Sequence, residues 1–339
     1  MKAIRIMTAI MMAAVLIFTF TACSKDDSAS GGSASSKNDV SSASSNASDS
    51  KSDNQGSYDI LPEFDKSGTI EETHLTDTYD VSITATGLTY TNSAVKLSLK
   101  LENKSDSKRE AYAGTAGYGC NSVNGYMIHD GYMRCELDPG ATEEEEVTFS
   151  YDELFCHGIY KIADIGIGFD IEDENYHHEQ SDMILIKTQN TDGYDYSEDT
   201  YLKTMKGNAL QSAYGITIDA LSERTAYSEG GISLISQALV TNKDGDSKLM
   251  LEFESNADQA LNVRLSGLKL NGVEVSTSYL ASDLIWQGKK DVLSVSLGDY
   301  FENNETLSAD NLKTADFNIN LTNTDGTSVT QETAVTIEF

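Results

Sequence analysis

Apolar residues that alternate one by one, twice over and in the same order, restrict this 339-residue chain to a β architecture more firmly than any other feature. Leu97, Leu99 and Leu101 are interleaved with Lys96, Ser98, Lys100 and Glu102. A half-buried strand requires that period of two, because successive side chains leave opposite faces of the pleat. Leu249, Leu251 and Phe253 repeat the device against Lys248, Glu252 and Glu254, with Met250 the one break.

The matches continue along both halves. Asn124-Gly125 follows an extended run ending in Val123, and Asn271-Gly272 follows one ending in Leu270. Asn-Gly is a type I′ hairpin signal, since both central residues of that turn need positive φ. Gly140 and Gly288 then precede alternating runs, Val147, Phe149 and Tyr151 in the first half and Leu293, Val295 and Leu297 in the second. Lys161-Ile-Ala163-Asp164 leads into Ile165, Ile167, Phe169 and Ile171, and Lys313-Thr-Ala315-Asp316 into Phe317, Ile319 and Leu321. Element order running in parallel through both halves is the mark of a duplicated domain.

Turn signals at Asp192-Gly193, Asp244-Gly245 and Asp325-Gly326 separate the runs, and roughly seven or eight short strands are expected in each copy. The predicted class is all-β, with two tandem immunoglobulin-like β-sandwich domains. The first is placed over 67–188, a connector over 189–205, and the second over 206–339.

The N-terminus is a different kind of sequence. Lys2 and Arg5 form a basic patch, Ile6 to Phe20 is apolar apart from Thr8 and Thr19, and small Thr21 and Ala22 lead into Cys23. That is the pattern of a secretion signal. Phe20-Thr21-Ala22-Cys23 resembles a bacterial lipobox, with Phe20 where Leu is usual. The resemblance implies that residues 1–22 are a lipoprotein signal peptide and that Cys23 carries the lipid, holding the protein to the outer face of the cytoplasmic membrane. From Ser24 to Ser57 there are 34 residues, 14 of them Ser, and Val40 is the one sizeable aliphatic. Such a stretch cannot bury enough apolar surface to offset its ordering entropy, so 23–57 is expected to be a disordered tether reaching about 30 Å.

The first copy carries a second resemblance. Its Asn121-Ser-Val123-Asn124-Gly125-Tyr126-Met127 run, Asp138-Pro139-Gly140, Ile162-Ala163-Asp164-Ile165, Phe169-Asp170-Ile171 and closing Ile184-Leu185-Ile186-Lys187-Thr188 are similar to an uncharacterised immunoglobulin-like domain of Firmicutes surface lipoproteins. The second copy keeps the Asn-Gly hairpin and the Lys-x-Ala-Asp element but lacks the Pro-Gly turn. The resemblance implies an envelope protein of a Gram-positive bacterium and brings no catalytic residues with it.

The candidate sites are few. Beyond Cys23 there are Cys120, Cys135 and Cys156, which allow three pairings, and the absence of any Cys in the second copy favours free thiols. His129, Cys156, His157, His177 and His178, with Glu179 nearby, show neither Cys-x-x-Cys nor His-Glu-x-x-His spacing. They read as solvated loop residues, and no metal site or cofactor is expected. Asn242, Asp244 and Asp246 begin like a calcium loop, but Ser247 and Phe253 stand where Gly and Glu belong, so a hairpin turn is expected. Glu143 to Glu146 reads as a charged sheet edge. Tyr112, Tyr118, Tyr126 and Tyr132 cluster with Gly and Asn around the first hairpin and are the best candidate for a binding surface, aromatic rings with polar tips being suited to protein or glycan contact.

Composition excludes one class of partner. Lys and Arg number 24 against 54 Asp and Glu, a net charge of −30. Removing 1–22 would take away Lys2 and Arg5 and no acid, leaving −32. Nucleic-acid binding through a broad basic surface is therefore excluded. With no nucleophile elbow, phosphate loop or dinucleotide fingerprint in view, the chain reads as a non-enzymatic extracellular binding module with a protein or cell-wall glycan partner. The alternative is an envelope protein with a metal-responsive or enzyme-associated role.

Overall fold

Leu97, Leu99 and Leu101 lie on an inner strand of a four-stranded sheet, and Leu249, Leu251 and Phe253 on an inner strand of a larger, nine-stranded one. The computed structural model describes residues 59–114 and 121–339. The signal over 1–22, Cys23, the tether over 23–57, Tyr118 and Cys120 fall outside the described residues.

The first copy comprises β1 (Thr73–Thr78), β2 (Val81–Tyr90), β3 (Ala94–Asn103), β4 (Arg109–Ala113), β5 (Asn121–Val123), β6 (Tyr126–Ile128), β7 (Met133–Leu137), β8 (Thr142–Ser150), α1 (Tyr151–Cys156), β9 (Asp164–Ile167), β10 (Phe169–Asp173), β11 (His178–Gln180) and β12 (Ile184–Lys187). Two helices, α2 (Thr200–Met205) and α3 (Ala209–Tyr214), follow. The second copy comprises β13 (Thr217–Ser222), β14 (Tyr227–Glu229), β15 (Ile232–Thr241), β16 (Ser247–Ser255), β17 (Leu261–Leu270), β18 (Val273–Ile285), β19 (Lys290–Ser296), α4 (Gly298–Glu302), β20 (Thr314–Thr322) and β21 (Thr333–Glu338).

In the second copy, strands β13-β15-β16-β19 pack on β18-β17-β20-β21, and the inward residues of both sheets make one core. The first copy repeats the plan with β1-β2-β3-β8 as one sheet. Its other sheet is split across the middle into β7-β4-β10-β11 and β6-β5-β9-β12. The break passes between Ala113 and Asn121, between Ile128 and Met133, and at Gly168. The split leaves β6 at an edge, and β6 meets β19: Tyr126 pairs with Lys290 in a parallel bridge, and the Lys290 backbone N–H donates to the Gly125 carbonyl at 2.8 Å. One nine-stranded sheet thus runs through both copies.

The all-β sandwich class matches the sequence reading, but two features differ from it. The stretch assigned to a connector holds α2, and α3 follows within the nominal second domain. Tyr201, Met205 and Leu210 from these helices share the first copy's core with Ala238, Val240 and Val292 from the second copy's sheet, and Met250 packs against the same cluster. The outward face of that sheet is therefore covered, which explains the apolar break at Met250. Met127 in turn enters the second core while Tyr126 and Ile128 enter the first, because neighbours on a strand point oppositely.

Both Asn-Gly hairpins form, with positive φ at Asn124, Gly125, Asn271 and Gly272. Each Asn side chain also clamps the strand beside it. Asn124 Nδ2 donates to the Lys161 carbonyl at 2.8 Å, and its Oδ1 accepts from the N–H groups of Ala163 at 2.7 Å and Asp164 at 3.2 Å. Asn271 does the same with the Asn311 carbonyl and the Lys313 and Thr314 N–H groups. Strand pairing agrees: Val123 faces Ile165, and Leu270 faces Ala315. The counterpart of Ala315 is thus Ile165, two residues beyond the Ala163 that the shared Lys-x-Ala-Asp letters suggest. A shift of two keeps every side chain on its face, so alternation alone could not detect it. Asn124→Ala should cost about 2 kcal/mol by stranding buried backbone donors, and Asn271→Ala, at an exposed clamp, about half that. Urea unfolding midpoints of the two variants test the order.

Helix α1 shows why the chain turns where it does. The Ser150 hydroxyl accepts from the Glu153 N–H at 3.2 Å, and Asp130 accepts in turn from Ser150. At the other end Gly158 N–H donates to the Phe155 carbonyl and Ile159 N–H to the Leu154 carbonyl, both at 2.9 Å, with Leu154 and Ile159 fully buried. This is a complete Schellman close, and Gly158 at φ +69° takes its left-handed position.

Candidate functional site

The β6–β19 seam buries more ionisable side chains than any pattern in the sequence suggests, and it does so on both faces. On the face toward α2, Glu252 of β16 is wholly buried. Ser236 Oγ donates to its Oε2 at 2.6 Å, the Tyr126 hydroxyl lies 3.4 Å from Oε1, and Lys290 Nζ lies 3.6 Å from Oε1. Lys290 also bridges to Asp199 at 3.0 Å, and Asp199 caps α2 by accepting from the Leu202 N–H at 2.8 Å. The lysine ammonium sits 5.5 Å from the Tyr126 ring centre. Burial, then the Asp199 carboxylate, push the Glu252 carboxyl up to about 7, with Lys290 pulling the other way. Four groups from β6, β16, β19 and the cap of α2 therefore tie the two copies together.

On the opposite face His129, one residue beyond β6, approaches two acids of the second copy. Its Nε2 lies 3.3 Å from Asp283 Oδ2 and 3.7 Å from Asp291 Oδ1. Asp291 is fully buried, Asp283 is 18% exposed and His129 50%. Burial raises both Asp carboxyls, and His129 opposes the rise. Burial works against a charged imidazole at His129, but the two carboxylates outweigh it and lift the pKa to about 9. The three residues form a group whose ligand atoms all lie within 4.8 Å of one another.

The tyrosines do not converge. Tyr126 is 3% exposed, a correction to its place on a contact surface, because pairing with β19 turns β6 into an interior strand. Tyr112 is half-buried on β4, in the other piece of the split sheet, and Tyr132 is 60% exposed. His157 is likewise no solvated loop residue: it is buried at the end of α1, Nδ1 is 2.9 Å from the Glu153 carbonyl, and its ring is 5.8 Å from that of Tyr126. His177 and His178 are exposed beside Asp173 and Asp170. Cys135 and Cys156 are free thiols. Burial drives both thiol pKa values upward, Cys135 to about 12, which leaves them poor nucleophiles.

Asn242 Oδ1 accepts from the Asp244 and Asp246 N–H groups, both at 2.9 Å, so the calcium-like run is the β15–β16 turn. Glu143 to Glu146 lie on β8, the edge of its sheet. An open depression of about 320 Å³ beside Gly230, Gly231 and Asn256 has Asp258 as its one ionisable lining residue. Among the described residues no helix is long and apolar enough to cross a membrane.

Sequence reasoning missed Asp199, Glu252, Asp283, Lys290 and Asp291 as site residues. A signal existed for two. Asp291 stands two before inward Leu293, and Asp283 two before buried Ile285, so both acids occupy core-facing phases of their strands.

No protein-family model matches the chain, and no curated protein matches it. Among solved structures, red sea bream transglutaminase aligns at 8% identity and a TM-score of 0.19, covering 78% of this chain. The chain spans 31% of that protein's length. An anti-sigma factor domain-containing protein aligns at 10% identity and a TM-score of 0.15, over 72% of this chain and 82% of the other.

Proposed function

We propose that the protein is a cell-surface lipoprotein of the Firmicutes immunoglobulin-like type, anchored through a diacylated Cys23, whose paired sandwiches act as a non-catalytic extracellular binding module. The observation that carries the anchor is the Phe20-Thr21-Ala22-Cys23 run followed at once by the Ser-rich stretch to Ser57. A lipid at Cys23 with a long polar leader would hold the sandwiches off the outer face of the cytoplasmic membrane, within reach of a protein or cell-wall glycan.

Support for binding over catalysis comes from how the buried charges are used. Glu252, Lys290 and Asp199 are engaged with one another and with Tyr126 and Ser236 across the seam, holding the copies in register. Exposed aromatic rings at Tyr132, Tyr176, Tyr196 and Tyr279 are available for contact instead. A metal-responsive envelope role is the second reading, favoured by the His129–Asp283–Asp291 group.

In a Gram-positive host the full chain should incorporate labelled palmitate and fractionate with the membrane, and Cys23→Ser should abolish both. Label that persists in Cys23→Ser, or its absence from the unaltered chain, would overturn the anchor. Pull-down from envelope extract with the full chain then tests the binding role, and reproducible substrate turnover would refute it.

A further inference from the structure

His129, Asp283 and Asp291 come from the loop after β6, from the C-terminal end of strand β18 and from β19, so they meet only when the two copies join. Alternation aims them at one place. His129 shares a phase with Met127, whose side chain enters the second core, and Asp291 shares a phase with Leu293 of that core.

Their spacing has a chemical meaning. A tetrahedral zinc with nitrogen and oxygen ligands at about 2.0–2.2 Å separates those ligands by roughly 3.3–3.6 Å along each edge. The two nitrogen-to-oxygen separations are 3.3 and 3.7 Å, and the third edge lies within 4.8 Å. One centre can therefore touch all three.

An independent observation concerns Asp291. Its Oδ1 accepts the Val292 N–H at 2.8 Å, while Oδ2 is enclosed with no hydrogen-bond partner. A fully buried carboxylate with an unmatched oxygen, beside a second carboxylate, is costly unless a cation meets it, and His129 stands off Oδ1 by 3.7 Å and leaves Oδ2 unmatched. One imidazole nitrogen, once the ion displaces its proton to solvent, makes with two carboxylate oxygens a borderline donor set suited to a transition ion such as Zn²⁺. The half-exposed His129 leaves solvent access for a water as fourth ligand.

We propose that His129, Asp283 and Asp291 bind one Zn²⁺-class divalent ion that clamps the first copy to the second. This goes beyond the surface-binding role and does not depend on lipidation at Cys23. Because one ligand comes from the first copy and two from the second, the ion locks the seam that Lys290 and Glu252 hold from the other face.

The test uses the full chain in detergent, stripped with a chelator and titrated with ZnCl2 alone by calorimetry. One saturable site per chain is expected, with a rise in Tm. Co²⁺ in place of Zn²⁺ should give the intense visible bands of a tetrahedral centre. His129→Gln and Asp283→Asn should each weaken binding more than about tenfold and remove the Tm rise. His177→Gln and Glu144→Gln, exposed elsewhere, should change neither. Circular dichroism checks that the variants are folded, and half-exposed His129 is the safer of the two ligand sites to alter. A chain without a saturable 1:1 site overturns the proposal, as does Zn²⁺ binding that survives both ligand substitutions. Tighter binding of Ca²⁺ than of Zn²⁺ does so too.

Discussion

Lys290→Met should destabilise the folded body by about 3 kcal/mol at about pH 9, measured by urea unfolding. The lysine is the cation facing two acids at the seam, bridging Asp199 at 3.0 Å and lying 3.6 Å from wholly buried Glu252. Without it the Glu252 carboxylate has only the Ser236 and Tyr126 hydroxyls, with Asp199 repelling it. Removing one partner of a buried pair leaves an uncompensated charge, which costs more than the pair itself contributes. The loss should depend on pH. Burial and Asp199 already raise the Glu252 carboxyl to about 7, and losing the lysine raises it further. A folded-state pKa raised above its unfolded value gives stability that is fully present below the unfolded value and is lost as pH climbs through the folded one. The Lys290→Met penalty should therefore be small near about pH 5, grow above about pH 7 by no more than about 1.4 kcal/mol per pH unit, and approach its full size near about pH 9. The double variant Glu252→Gln/Lys290→Met should regain about 1 kcal/mol or more at the higher pH. A penalty under about 1 kcal/mol at about pH 9, or one equal at both pH values, would show that the seam does not rest on this charge balance.

Gly158→Ala is the other substitution of large expected effect. A Cβ there would lie 2.1 Å from the Thr200 carbonyl oxygen and 2.5 Å from its carbon, backbone atoms that open α2, at a φ of +69°. Left-handed strain and a backbone clash add, for about 3–4 kcal/mol in total. Gly140→Ala is the natural control: its φ is +71°, but a Cβ meets nothing within 4 Å. It should lose about 1 kcal/mol, the conformational cost alone. Thermal unfolding of the pair separates the two contributions, and equal losses would mean that α1 and α2 do not hold each other at Gly158.

How far the fold was legible follows from which forces are local. Leu97, Leu99, Leu101, Leu249, Leu251 and Phe253 announce their strands because alternation is a property of the strand itself. Asn124-Gly125 and Asn271-Gly272 announce their hairpins because positive φ is a local steric demand. The helices α2 and α3 were hidden because each is six residues long, too short for a 3.6-residue period to register, and their apolar residues serve a surface built elsewhere. The split of the first copy's second sheet was hidden too, since Ile165, Ile167, Phe169 and Ile171 keep their alternation straight across the strand break at Gly168.

The site was less legible than the fold. Glu252 occupies the outward phase of β16, opposite Leu251 and Phe253, and an acid in that position reads as solvated. It is buried because α2 and the first copy cover that face. Tyr126 reads as a surface aromatic for the converse reason, β6 being an edge strand until β19 pairs with it. By itself the sequence determined the all-β class, the duplication and the hairpins, all of which depend on neighbours along the chain. Only the tertiary structure decided that the two sandwiches share a sheet, exchange core residues and enclose His129 with Asp283 and Asp291. His129 with its two acids and Tyr126 with Lys290 join residues more than 150 positions apart, and burial at such a seam is set by what the other half of the chain covers.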